Sequence, residues 1–202
     1  MKNILKMEIE NKFKLNEIQK LANENVANNL IFDAPTASGK TEAILLSLKE
    51  GSRVTWMLPT ISACTFMYRR LCADFINLNV EVCTSTMSES RLVNEELTTI
   101  KIITCDPLMV DYIKEYATNG THIKTTDDVL VLDEIDNYPS KVRSVLKHYI
   151  KNVELEQVIL ASATLDEELK SIKDDFKIIR FSSVSNRIRY KLDTVTRYSS
   201  LH

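Results

Sequence analysis

The stretch Ala34-Pro-Thr-Ala-Ser-Gly-Lys-Thr41 follows a short apolar run, Asn29–Asp33, and precedes a helical pattern that begins at Thr41. A strand, a loop that ends in Gly-Lys-Thr and a helix together form the arrangement in which backbone N–H groups surround a phosphate chain. Ala34 stands where the first glycine of such loops usually lies, and Gly39 lets the backbone approach the phosphates closely. The stretch therefore predicts a phosphate-binding loop in an α/β domain.

Side chains of this loop are expected to hold a nucleotide together with a metal ion. Lys40 supplies positive charge to the β- and γ-phosphates, and the Thr41 hydroxyl is a ligand for Mg²⁺. Thr36, Ser38 and Gly39 complete the nucleotide-binding residues that the loop predicts. The N-terminus of the following helix adds its dipole.

Seven short, mostly apolar runs alternate with helical patterns along the chain. The runs are Asn29–Asp33, Arg53–Leu58, Val80–Thr84, Ile100–Thr104, Val129–Asp133, Val158–Ser162 and Lys177–Phe181. One apolar helix stripe extends from Ile61 to Leu78, and the first helix is expected near Leu15 to Val26. This alternation predicts an α/β domain of three layers, with a mainly parallel sheet of about seven strands.

Composition limits the classes of function. The 202 residues include 26 Lys and Arg against 28 Asp and Glu, so bulk charge does not favour nucleic acid, and any such binding must be local. Four cysteines without a CxxC pair argue against zinc and for reduced thiols. No signal-peptide core and no membrane span are visible, so we expect a cytoplasmic protein without membrane partners. Its many Lys, Asn and Ile residues hint at an AT-rich bacterial or viral genome.

Two further motifs follow the loop in the chain. Asp133 and Glu134 come at the end of the apolar run Val129–Asp133. Asp133 can hold Mg²⁺, usually through water, and Glu134 can take a proton from an attacking water. The run Val158–Ser162 leads into Ser-Ala-Thr, which ends at Thr164.

The order of these three motifs resembles the first RecA-like domain of a superfamily 2 helicase of the DExD/H-box type. The resemblance extends from about Phe13 to Thr164. Within that superfamily the chain is also similar to the helicase part of the CRISPR type I helicase-nuclease. The stretches that carry this narrower similarity are Asp33–Ala43, Leu58–Thr60, Met67–Leu71 and Thr104–Leu108.

The resemblance implies a role for each matching residue. Gln19 corresponds to the glutamine that reads adenine, and the residues implied in catalysis are Lys40, Asp133 and Glu134. The residues implied in contacts with single-stranded nucleic acid are Pro59, Thr60, Thr104 and Asp106. Those implied in coupling the nucleotide state to a second domain are Asp136, Ser162 and Thr164.

Two positions depart from the family pattern. Ile61 stands where the family usually has Arg after Pro-Thr, and Arg69 or Arg70 is a candidate to replace that phosphate contact. Asp136 stands where the CRISPR helicase commonly has His. The second departure weakens the narrower similarity and leaves the superfamily resemblance intact.

After Thr164 the sequence has 38 residues, whereas a second α/β domain needs roughly 150. These residues can form a helix, Asp166–Lys173, the seventh strand, and an alternating stretch, Arg187–Leu192, that reads as a half-exposed strand or a linker. We therefore expect an ATP-binding RecA-like domain over residues 1–185, a strand or linker over 186–202, and no second RecA-like domain. In the family the second domain supplies an arginine finger worth about 10³–10⁵ in rate, so the isolated chain is expected to be nearly inactive.

Two classes of function remain open. The chain is either the ATP-binding half of an ATP-dependent helicase or translocase, or a natural single-domain module that binds ATP without catalysis and docks on a helicase or CRISPR-type complex. The first class requires Mg²⁺, ATP, single-stranded DNA or RNA, and a second RecA-like domain or partner protein. A small kinase is disfavoured, because Ser-Ala-Thr and Pro-Thr match the helicase positions and no acceptor site or lid is visible.

Overall fold

The computed structural model describes residues 4–12, 14–35, 37–105, 127–152, 154–163, 176–184 and 187–194. Three of the predicted site residues, Thr36, Asp106 and Thr164, lie outside these ranges. The helix predicted over Asp166–Lys173 also lies outside them.

Helices and strands alternate through most of the described chain. The α-helices are α1 (Ile4–Lys12), α2 (Glu17–Glu24), α3 (Lys40–Ser47), α4 (Ile61–Asp74) and α5 (Ser140–Asn152). The strands are β1 (Leu30–Asp33), β2 (Arg53–Leu58), β3 (Asn79–Cys83), β4 (Ser88–Arg91), β5 (Thr99–Thr104), β6 (Val129–Leu132), β7 (Gln157–Ser162), β8 (Lys177–Val184) and β9 (Arg187–Thr194). A short 3₁₀ helix, Ile135–Asn137, follows β6.

The described strands form one sheet of nine, in the order β4-β3-β5-β2-β6-β7-β1-β8-β9. The seven inner strands, β3-β5-β2-β6-β7-β1-β8, are parallel to one another, and they correspond to the seven predicted runs. β4 and β9 add to the two edges in antiparallel orientation. The mainly parallel sheet is therefore confirmed, and its two additional strands are the outermost ones.

Helices cover both faces of the sheet. Along β1, Leu30 and Phe32 pack into the core with α1 to α4, whereas Ile31 packs into the core on the other face with α5. Successive strand residues point to opposite faces, so a strand covered on both sides is apolar throughout. This arrangement confirms the three-layer α/β fold. Among the residues that the structure describes, no helix is both long and apolar enough to cross a membrane.

The parallel central strands bring their carboxyl ends to one edge of the sheet. β7 lies between β1 and β6, and Asp33 at the end of β1 is paired with Ser162 at the end of β7. The backbone N–H of Ala34 donates to the carbonyl of Ser162 over 3.0 Å. The loops that follow β1, β6 and β7 are consequently neighbours, which is where open α/β sheets bind ligands.

Candidate nucleotide site

The phosphate-binding loop depends on a glycine at its final turn. Gly39 is the N-cap of α3 and has a φ of 85°, in the left-handed region that favours glycine. A Cβ atom at this position would lie 2.8 Å from Nε2 of Gln19 and 3.0 Å from Nδ2 of Asn16. Both the backbone conformation and the close approach of α2 therefore favour glycine at this position.

Gln19 supports the loop from the start of α2. Its side-chain oxygen accepts from the backbone N–H of Asn16, whose own side-chain oxygen accepts from the backbone N–H of Gln19, each over 3.0 Å. This reciprocal pair is a capping box. The two amide NH₂ groups donate to loop carbonyls, Asn16 to Ser38 over 3.1 Å and Gln19 to Gly39 over 3.5 Å. Gln19 is thus a buried support of the loop, and its contact with adenine stays a prediction.

The Lys40 ammonium group reaches back across the loop. It donates to the carbonyl of Ala34 over 2.6 Å and to that of Pro35 over 3.1 Å. Burial lowers the pKa of Lys40 and is partly opposed by nearby carboxylates, of which Asp133 has the largest effect. Lys40 therefore holds a positive charge inside the loop, against carbonyl groups that a phosphate can replace.

Asp133 is held by two hydrogen-bond donors at the end of β6. Its Oδ2 accepts from Nε1 of Trp56 over 3.3 Å, and its Oδ1 accepts from the backbone N–H of Glu134 over 3.0 Å. Burial raises the pKa of Asp133 to about 6, although the charge of Lys40 opposes the shift. Trp56, the only tryptophan in the chain, was not predicted as a site residue.

Glu134 occupies the next position with a left-handed φ of 54°. Its backbone carbonyl accepts from the N–H of Asn137 over 2.8 Å, in the 3₁₀ turn that directly follows. Its carboxylate accepts from the Asn137 amide over 3.4 Å and is exposed. A non-glycine residue in this conformation is uncommon and is characteristic of functional turns. Glu134 therefore presents its carboxylate to the solvent side of the site.

Arg70, on α4, contacts the first turn of α3. Its Nη1 donates to the Thr41 hydroxyl over 3.1 Å, and its Nη2 pairs with Glu42. Its Nε lies 3.6 Å from Asp74, one turn along α4. Arg70 thus faces the phosphate-binding loop, and its contact with nucleic acid stays a prediction.

One cavity of about 530 Å³ joins these groups. The predicted residues that line it are Gly39, Lys40, Thr41, Asp133, Glu134, Asp136 and Ser162. Arg70 and the exposed ring of Phe66 add a wall from α4. Three motifs that are far apart in the chain therefore meet around one space.

The polar groups of this cavity suit a nucleotide with Mg²⁺. In the phosphate-binding loop, directly before the lining residue Gly39, the buried Ser38 hydroxyl has no hydrogen-bond partner in the described part of the chain. Thr41 and Asp133 offer the oxygen ligands that Mg²⁺ prefers, and Mg²⁺ commonly takes one or two protein ligands with substrate phosphates. The described residues hold no cluster of three or more His, Cys, Asp or Glu that could bind a metal alone. The donor set thus fits a metal shared with phosphates.

Three of the residues implied in nucleic-acid contacts lie at the same edge of the sheet. β2 and β5 are neighbours, and Leu58 is paired with Thr104. Thr60 is the N-cap of α4, where its hydroxyl accepts from the N–H of Ala63 over 3.1 Å. Thr60 is exposed, Pro59 is half-buried and Thr104 is buried. Of these three, Thr60 is therefore the most accessible to a phosphate.

The fold is an α/β domain of the RecA-like type, and its cavity lies at the sheet edge where such domains bind ligands. Residues 16–172 match the DEAD/DEAH box helicase family. The match covers most of the chain, which therefore belongs to this family. The narrower similarity to the CRISPR helicase stays a prediction.

Individual relatives agree with this assignment. The chain is 28% identical to the ATP-dependent DNA helicase MER3 of Saccharomyces cerevisiae over 145 residues. This alignment covers 64% of this chain and 12% of MER3. The fold matches S. cerevisiae Dbp5 bound to Nup159, Gle1, IP6 and ADP, with a TM-score of 0.60, 17% identity and coverage of 85% of this chain and 48% of Dbp5. It also matches a hypothetical ATP-dependent RNA helicase from Sulfolobus tokodaii, with a TM-score of 0.59, 18% identity and coverage of 85% and 54%. The chain thus spans about half the length of these two solved structures.

Proposed function

We propose that this chain is the ATP-binding half of an ATP-dependent nucleic-acid helicase or translocase. The observation that carries the proposal is the shared cavity: Lys40 and Thr41 from one motif line it with Asp133 and Glu134 from another. The family match supports the same conclusion. Because the chain spans only part of its relatives, the activity of the whole helicase is part of the proposal.

Each side chain has a distinct task in this proposal. Lys40 exchanges the carbonyls of Ala34 and Pro35 for phosphate oxygens, and the unpartnered Ser38 hydroxyl donates to a phosphate. Thr41 and Asp133 hold the metal ion, which neutralises part of the phosphate charge when it is bound.

Glu134 is the proposed base. Its carboxylate is exposed at the cavity and follows Asp133 directly, so it can orient a water molecule and accept its proton. Lys40, with its positive charge beside the phosphates, would stabilise the negative charge that develops on the phosphate oxygens as the water attacks the γ-phosphate. Glu134 and Lys40 are therefore the proposed catalytic residues, together with Asp133.

Efficient turnover requires groups from outside this cavity. In phosphoryl transfer an arginine finger contributes about 10³–10⁵ in rate, which corresponds to about 4–7 kcal/mol. We propose that a second RecA-like domain or a partner protein supplies this cation and closes the site. The chain alone then hydrolyses ATP slowly or not at all.

Nucleic acid is the second proposed ligand. Contacts through Pro59, Thr60, Thr104 and Asp106 would follow the backbone of a single strand without reading bases. A net charge of −2 makes such binding weak and sensitive to salt. Asp136, Ser162 and Thr164 would couple the nucleotide state to that second domain or partner protein.

Calorimetry with ADP and Mg²⁺ tests the site directly. Lys40→Ala should weaken ADP binding at least tenfold, because a charge-assisted contact to phosphate is lost. Lys49→Ala is the matched control: Lys49 follows the same helix, and its exposed side chain forms a surface ion pair with Glu156. Equal affinities in Lys40→Ala and the wild-type chain would refute the assignment.

A steady-state ATPase assay tests whether turnover requires a second RecA-like domain in addition to this chain. The purified chain should show little turnover with or without single-stranded DNA or RNA, and a covalently fused DEAD-box second domain should restore it. Glu134→Gln should abolish the restored activity. Nucleotide binding with no turnover in the fusion would instead favour a non-catalytic module that docks on another complex.

A further inference from the structure

The contact between Arg70 and Thr41 places a cation on the atom proposed to bind the metal. The Arg70 guanidinium donates to the Thr41 hydroxyl oxygen over 3.1 Å. The same side chain forms an ion pair with Glu42, the residue after Thr41, whose carboxylate is buried. The guanidinium therefore has a defined position beside the hydroxyl.

A metal ion and the Arg70 guanidinium compete for the hydroxyl oxygen of Thr41. Mg²⁺ binds its ligands at about 2.0–2.1 Å and requires near-ideal octahedral geometry. A dication that near the oxygen and a guanidinium hydrogen-bonded to it repel each other at close range, where the partly buried site screens charge weakly. One of the two must withdraw when the other is bound.

Arg70 has a position to withdraw to. Its side chain is 33% exposed, and its Nε already lies 3.6 Å from the half-exposed carboxylate of Asp74, one turn further along α4. Glu42 and Asp74 can both retain the guanidinium while it leaves Thr41. The movement needed is a side-chain rotation on α4 and no change in the fold.

We propose that Arg70 competes with Mg²⁺ for the Thr41 hydroxyl and thereby sets the metal dependence of nucleotide binding. The inference rests on the proposed function, because it assumes a Mg-nucleotide at this cavity. Arg70 is a positioning residue in this account: it acts through Thr41 and does not bind phosphate itself. Removing it should strengthen nucleotide binding in the presence of the metal and leave metal-free binding unchanged.

The experiment measures the dissociation constant of fluorescently labelled ADP in excess Mg²⁺ and in EDTA. The dissociation constant in EDTA divided by the dissociation constant in Mg²⁺ defines the Mg²⁺ stimulation. Arg70→Met should raise this ratio about fivefold, which corresponds to one ordinary hydrogen bond of about 1 kcal/mol. Arg69→Met, an exposed neighbour on the same helix, is the matched control and should leave the ratio unchanged.

Two further variants keep the test decisive. Arg70→Met leaves Glu42 buried without its partner, so the double variant Arg70→Met with Glu42→Gln removes both charges together and should fold stably. In a Thr41→Val background, Arg70→Met should no longer change the ratio, because the shared hydroxyl is absent.

The outcomes separate this inference from the function on which it rests. If the wild-type chain does not bind ADP, both fail. If it binds ADP through Lys40 but the ratio is unchanged in both Arg70 variants, only the inference is overturned. If Arg70→Met binds ADP more weakly than the wild-type chain in EDTA, the inference is also overturned, because that result would make Arg70 a phosphate ligand.

Discussion

Asp133→Asn should stabilise the nucleotide-free protein at neutral pH. Burial raises the pKa of Asp133 to about 6 from its ordinary value of 3.8, despite the nearby charge of Lys40. The folded state therefore binds the proton more tightly than the unfolded state does. Stability decreases as pH rises from about 4 to about 6 and is constant above that range as far as this group is concerned.

The magnitude follows from that difference in pKa. Two pKa units correspond to about 3 kcal/mol of destabilisation at neutral pH. Asparagine removes this charge but places an NH₂ group against one of the two donors that now face Asp133, the Trp56 indole or the Glu134 backbone N–H. The mismatch costs about 1–2 kcal/mol, so we expect a net gain of about 1–2 kcal/mol at pH 7.5.

Urea unfolding followed by far-UV circular dichroism measures this gain at several pH values. The advantage of the variant should shrink as pH decreases from 6 to 4.5, while Mg-dependent stabilisation by ADP should be lost at every pH. Asp128→Asn is the matched control, since Asp128 precedes the same strand that Asp133 follows. A variant that is less stable than the wild type at pH 7.5, with a difference independent of pH, would refute the reasoning.

Three other changes test how the loop and the sheet edge are held. Gly39→Ala should lower the free energy of unfolding by about 1–2 kcal/mol, because alanine is strained at this backbone conformation and its Cβ would be too close to Gln19. Gly51→Ala should lower it less in the same urea experiment, because the nearest atom to its added Cβ is a carbonyl oxygen at 3.4 Å. Gln19→Ala should lower stability by about 1 kcal/mol by removing the capping box, with partial recovery in Gln19→Glu; equal melting temperatures for all three proteins would contradict this role. Arg91→Met should accelerate amide hydrogen exchange in β4, because Arg91 donates to the carbonyls of Cys72 and Phe75 at the end of α4 and to that of Leu78 directly before β3. Unchanged exchange would show that β4 does not depend on these contacts.

The parallel core and the nucleotide motifs were predictable because their signals are local. Strands covered on both faces must be apolar throughout, so runs such as Val129–Asp133 stand out from their surroundings. The phosphate-binding loop is equally local, since Gly39, Lys40 and Thr41 are adjacent in the chain. The sheet order places β7 between β1 and β6, so that the ends of all three strands meet at the candidate site.

What escaped prediction depends on contacts between distant segments. α1 mixes charged and apolar residues, and its buried Glu8 is accommodated by accepting from the backbone N–H groups of Ile76 and Asn77. β4 consists of Ser88-Glu-Ser-Arg91, which has no apolar pattern and is recognisable only by its pairing with β3. Neither element has a signal within its own sequence.

The same limitation applies to the site. Trp56 lies in a strand where an aromatic side chain is unremarkable, and only the fold places its N–H against Asp133. Arg70 lies on α4 beside an apolar stripe, and its role depends on the approach of α3. Glu42, directly after Lys40-Thr41, requires a cationic partner because its carboxylate is buried, and that burial is visible only in the structure.

The outer strand β4 has a consequence for solubility. Unpaired strand edges are sites where another chain can add and begin an aggregate, and short or charged edge strands reduce that hazard. β4 is four residues long, entirely polar and largely exposed. A second copy that approached this margin would therefore meet a short polar segment. We expect the β4 edge to resist edge-to-edge association in concentrated solutions of this domain.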